Sequence, residues 1–170
     1  MSEVKPTALV VMGVSSSGKS SIGKALADRL GWRFADGDDF HPKANVEKQR
    51  AGQALTDEDR WPWLQSIADE IDRATAEGGR LVVACSALKH VYRDILIHGR
   101  RDIRIVYLDG SRELIGERMA ARKNHFMPPS LLDSQFKTLE VPGVDERPIT
   151  VSIDDDVDGI VDAITKQLPT

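Results

Sequence analysis

The stretch "ALVVMGVSSSGKS", residues 8–20, constrains the fold more than any other part of the chain. Five apolar residues lead straight into a Gly-x-x-x-x-Gly-Lys-Ser pattern, Gly13 to Ser20, and a helical pattern begins at Lys19. An all-apolar run of this length reads as a strand buried on both faces, the kind found in parallel sheets. The glycines let the backbone curl so that successive N–H groups converge, and the following helix N-terminus adds positive potential at the same place. A cradle of this kind holds phosphate. Gly13, Val14, Ser15, Ser16, Ser17, Gly18, Lys19, Ser20 and Ser21 are the expected nucleotide contacts, with Lys19 reaching the β- and γ-phosphates and Ser20 ligating Mg²⁺. A nucleotide site without catalysis stays open at this point.

The rest of the chain repeats the alternation. "WRFA" (32–35), "RLVVAC" (80–85), "IRIVYL" (103–108) and "ITVSI" (149–153) read as further strands. Between them, Ile22, Leu26 and Leu30 share one face of a helix over 19–30, and Leu64, Ile67, Ala68 and Ile71 share one face over 62–77. Thr56 and Asp156 are expected N-caps, the latter for a last helix over 157–168, and Gly78 and Gly79 are a stop signal. Alternating β and α predicts an α/β fold in three layers, a parallel five-stranded sheet covered on both faces. At 170 residues the chain suits one domain that buries roughly 70% of its unfolded surface.

Composition narrows the partners. Twenty-three basic and 27 acidic residues leave a net charge of -4 with no basic run, which argues against nucleic acid and anionic membranes. The start carries no secretory pattern, no apolar run reaches the roughly 18 residues of a membrane span, and the single Cys85 has no intrachain partner. A cytoplasmic protein acting on a small molecule is expected.

"DGDDFHP", residues 36–42, follows the second strand. Taken alone it is a solvated turn. In a doubly wound sheet it lies at the carboxyl edge beside the phosphate cradle, where Asp36 can help hold hydrated Mg²⁺ and Asp38 can orient or deprotonate an attacking hydroxyl. Asp39 is the member expected to be simply solvated.

The cradle, "DGDDFHPKANVEKQRAGQALTDEDRWPWL" (36–64), "CSALKHVYRD" (85–94), "ARKNHFM" (121–127) and "LEVPGVDER" (139–147) together resemble the small gluconokinases of the P-loop kinase group, relatives of shikimate and adenylate kinases. The resemblance runs over nearly the whole length. It implies a nucleoside-monophosphate-kinase-like fold with a short lid around 118–135, transfer of phosphate from ATP to the 6-hydroxyl of D-gluconate with Mg²⁺, and a homodimer. Ser16 departs from it, standing where glycine is common, and so do Gln49 and Ala54, where methionine and proline are usual.

A sugar acid needs a cationic clamp and hydrogen-bonding groups, for which Arg60, Lys89 and Arg93 are the candidates, the last two four residues apart on one expected helix face. His41 either contacts the substrate or caps its turn. The resemblance to adenylate kinases implies Arg118 against adenine and Arg122 on the transferring phosphate; the alternative is a helix face paired with Glu113 or Glu117. His125 is a further substrate candidate, and Trp61 and Trp63 are expected to pack at a helix start. The rival readings are another small-molecule kinase, such as a shikimate kinase, and a non-catalytic ATP-binding regulator.

Overall fold

The computed structural model describes residues 4–14, 16–76, 78–121 and 129–169. Strands and helices alternate: β1 (Ala8–Met12), α1 (Lys19–Leu30), β2 (Arg33–Asp36), α2 (Lys43–Arg50), α3 (Asp57–Thr75), β3 (Leu81–Ala84), α4 (His90–Ile97), β4 (Ile103–Asp109), α5 (Arg112–Ala121), α6 (Pro129–Thr138), β5 (Ile149–Ser152) and α7 (Val157–Thr165). The strands form one parallel sheet in the order β2-β3-β1-β4-β5. β1 is central and all five of its residues are buried, as its unbroken apolar run requires.

Period-two alternation divides β1 between two cores. Leu9 and Val11 face the layer built by Ile22 and Leu26 of α1 and Ile160 and Ile164 of α7. Ala8, Val10 and Met12 face Leu64, Ile67 and Ile71 of α3 and Leu96 of α4. This is the expected three-layer arrangement, and it brings the carboxyl ends of β1, β2 and β3 to one edge. No helix among the described residues is long and apolar enough to cross a membrane.

α3 begins one turn and more before the expected residue 62. The start follows from the expected N-cap: Thr56 and Asp59 form a reciprocal capping box that sets it at Asp57. Pro62 then sits inside the helix, at the cost of one backbone bond. Asp156 caps α7 as its sequence position suggests, accepting from the Gly159 N–H at 2.8 Å.

Cys85 follows β3, 2% exposed, and burial pushes its thiol pKa up to about 12, so it packs as an apolar residue. Of the expected lid, residues 122–128 lie outside the described residues.

Candidate active site

The phosphate loop leaves β1 at Gly13 and ends at Gly18, whose φ of 94° makes it the left-handed N-cap of α1. No side chain caps that helix and no acid lies in its first turn, so its N-terminal N–H groups and dipole face outward for an anion. Lys19 Nζ folds back to donate to the Val14 carbonyl at 3.1 Å. The hydroxyls of Ser16 and Ser17 are buried with no hydrogen-bond partner among the described residues. Ser16 also carries a positive φ of 66°, the conformation that makes glycine common at this position. A loop with orphaned buried donors and an uncapped helix end fits the phosphates of ATP. Ser15 lies outside the described residues.

The acidic turn meets this loop directly. The Ser20 hydroxyl donates to Asp36 Oδ2 at 2.7 Å, while Asp36 Oδ1 accepts from the Asp38 N–H at 3.0 Å. A hydroxyl and a carboxylate oxygen in contact are hard donors that fit Mg²⁺, which keeps several waters and phosphate oxygens rather than entering an all-protein cage. The turn itself, a 3-10 segment over Gly37–Phe40, packs so closely on β3 that a Cβ on Gly37 would stand 2.6 Å from the Ala84 carbonyl. Only glycine fits there.

Lys19, Asp38, His41 and Arg60 line one cavity of about 480 Å³, together with Trp63, Ser86, Tyr92 and Gln135. Its size suits a small ligand. His41 stacks on Trp63 with ring centroids 4.2 Å apart, and Trp63 donates to the Gly37 carbonyl at 2.7 Å. The Asn45 amide donates to the Asp59 carbonyl at 2.8 Å and lies 3.3 Å from His41 Nδ1. Since that amide nitrogen is a donor, Nδ1 accepts and the neutral ring carries its proton on Nε2. Burial lowers the His41 pKa below its ordinary 6.5, against an opposing pull from Asp38 and with help from Arg60. His41 is thus a neutral donor on the cavity wall.

Arg60 donates from Nη1 to the Leu55 carbonyl at 2.7 Å and to the Tyr92 hydroxyl at 3.2 Å, with its guanidinium 5.4 Å from the Tyr92 ring centre. Its Nε and Nη2 make no hydrogen bond among the described residues.

Two members of the expected clamp stand elsewhere. Arg93 is 1% exposed. It donates from Nε and Nη2 to both oxygens of Glu146, from Nη1 to the carbonyls of Ala87 and Leu88, and from Nη2 to the Glu140 carbonyl. All its guanidinium donors are therefore taken, and none is left for a substrate. Burial pushes Glu146 up, but the Arg93 bonds and the Gly143 N–H outweigh it and leave its pKa lowered. Arg93 ties together two of the quoted segments, 85–94 and 139–147. Lys89 does not line the cavity either: it pairs with Asp57 at 3.2 Å.

Arg118 donates to the Ile153 carbonyl just past β5, rather than to Glu113 or Glu117. Arg122 and His125 lie outside the described residues. Asp39 is exposed and faces a separate cleft of about 710 Å³ along edge strand β2, with Lys24, Arg33 and Arg73. Tyr92, Asn45 and Asp57 were not singled out by sequence. The only signal was the spacing of His41 and Asn45, one helical turn apart.

The shikimate kinase family model matches residues 15–158. Among curated proteins, a probable gluconokinase of Mus musculus is 45% identical over 96% of this chain and 98% of its own length, and a gluconokinase of Gluconobacter oxydans is 50% identical over 88% and 84%. Among solved structures, a gluconokinase from Sinorhizobium meliloti superposes with a TM-score of 0.86 at 44% identity, covering 94% of this chain and 89% of the other. With a phosphate loop, a five-stranded parallel sheet and an acidic turn set against the loop, the chain belongs to the gluconokinase family of P-loop kinases.

Proposed function

We propose that the protein transfers the γ-phosphoryl group of ATP to the 6-hydroxyl of D-gluconate, giving 6-phosphogluconate and ADP. The observation that carries this reading is the shared cavity: Lys19 of the phosphate loop, the Asp38 carboxylate and the part-paired Arg60 guanidinium all line it. Phosphoryl cation, proton acceptor and anion clamp in one space of this size are what a kinase acting on a sugar acid needs.

In this mechanism the loop N–H groups and Lys19 hold the β- and γ-phosphates, and Arg118 serves the adenine side. Arg60 takes the gluconate carboxylate, and the Nε2–H of His41 donates to a substrate hydroxyl. Asp38, held in place by the bond from its own N–H to Asp36, accepts the proton of the 6-hydroxyl. As the oxygen–phosphorus bond forms, the bond to the bridging oxygen breaks and ADP leaves, with Lys19 offsetting the charge that develops there. Ser20 and Asp36 would hold Mg²⁺, which when bound neutralises phosphate charge. Arg122 and His125 complete the proposed set on the strength of the resemblance, which also implies a homodimer; one kinase domain and a cytoplasmic location rest on chain length and composition.

Purified protein should release ADP with gluconate and not with shikimate or nucleoside monophosphates. Asp38→Asn is expected to lower kcat at least about 100-fold, with an unchanged circular-dichroism spectrum. Full turnover in that variant removes the proton-acceptor role. A regulator that merely binds ATP predicts no gluconate-dependent turnover at all.

A further inference from the structure

Arg60 does not stand alone behind its cavity wall. Its Nη1 donates to the Tyr92 hydroxyl, that hydroxyl donates to Asp57 Oδ1, and Asp57 accepts Lys89 Nζ on both oxygens at 3.2 and 3.3 Å. Lys89 Nζ and the Arg60 guanidinium both lie near the Tyr92 ring, 5.6 and 5.4 Å from its centre. Two cations brought to one ring repel each other unless an anion sits between them, and Asp57 is that anion. Asp57 takes no part in the capping box, which Thr56 and Asp59 form at the start of α3.

The chain of bonds explains two features at once. Lys89 misses the cavity because it anchors Asp57, and Arg60 keeps its Nε and Nη2 turned away from this network because the network occupies Nη1 alone. An arginine fixed on one side and open on the other binds a carboxylate with little loss of side-chain freedom.

We propose that Lys89, Asp57 and Tyr92 are positioning residues that hold the Arg60 guanidinium in register for a carboxylate and so set a preference for sugar acids over neutral polyols. This rests on the gluconate reading above. The pull of Tyr92 and then Lys89 on Asp57, which lowers its pKa, fits a carboxylate that stays charged across the working range.

The test uses full-length protein with D-gluconate and its neutral counterpart D-gluconamide. Tyr92→Phe keeps the ring and removes the hydroxyl; Asp57→Asn keeps the shape and removes the charge. Each should raise the KM for gluconate about tenfold, as expected for losing a hydrogen bond to a charged group. The KM for ATP and the melting temperature should stay near wild type, and the preference for gluconate over gluconamide should shrink by a similar factor. In an Arg60→Ala background Tyr92→Phe should add nothing, because the two act as one unit.

A change below twofold in gluconate KM overturns the proposal, as does an equal rise for both substrates with a lower melting temperature, which marks a purely structural role. Wild-type protein inert toward gluconate sinks the substrate reading, and the proposal with it. Wild-type turnover with unaltered preference in both variants sinks the relay alone.

Discussion

Ser16 shows how one residue records a compromise. A left-handed backbone costs an L-residue about 1–2 kcal/mol, and the Ser16 hydroxyl gains no partner in return among the described residues. Ser16→Gly removes the clash but adds freedom to the unfolded chain, so a net gain of about 1 kcal/mol is the upper expectation. Differential scanning calorimetry on nucleotide-free protein should read that as a rise of about 2 °C; a fall would mean that the serine stabilises the loop. The strain was legible only as a departure from the family pattern. That the hydroxyl is buried depends on how the loop folds back under Lys19, which no local signal encodes.

At the scale of elements, the N-terminus of α3 does more than start a helix. Asp59 completes the capping box and takes Lys48 at 2.6 Å, and its backbone carbonyl accepts the Asn45 amide that also meets His41. Lys48, then the Thr56 N–H, hold the Asp59 pKa down to about 2 from 3.8. Because the folded-state value lies below the unfolded one, this contribution is present above about 3.8 and is lost as pH falls through about 2. Acid unfolding followed by fluorescence should show Asp59→Asn losing stability less steeply than wild type across that window. α2 itself was not expected, since the face it buries is carried by Asn45 rather than by apolar residues, and hydrophobic period cannot see a buried amide. The strands and α1, with strong apolar patterns, were placed within a residue or two.

On the scale of the whole molecule, the Arg93–Glu146 pair joins α4 to the segment before β5, with side chains 1% and 8% exposed. Arg93→Met leaves the Glu146 carboxylate buried without its partner, and breaking a buried pair in this way costs about 3–5 kcal/mol. Thermal melts should fall by about 10 °C. If Arg93 instead contacted substrate, the variant would melt like wild type and lose gluconate binding alone.

The sequence by itself determined the layer order of the fold, the phosphate loop and the acidic turn, because each rests on local physics: apolar runs, glycines, a cap, a motif within eight residues. It also placed Asp36 and Ser20 in the same neighbourhood, and the 2.7 Å contact between them forms where the first turn of α1 meets the end of β2. Only the tertiary structure decided among the three basic candidates. Arg60, Lys89 and Arg93 look alike as letters, but their partners come from up to 53 residues away along the chain, and it is those partners that leave Arg60 facing the cavity, tie Lys89 to Asp57 and bury Arg93.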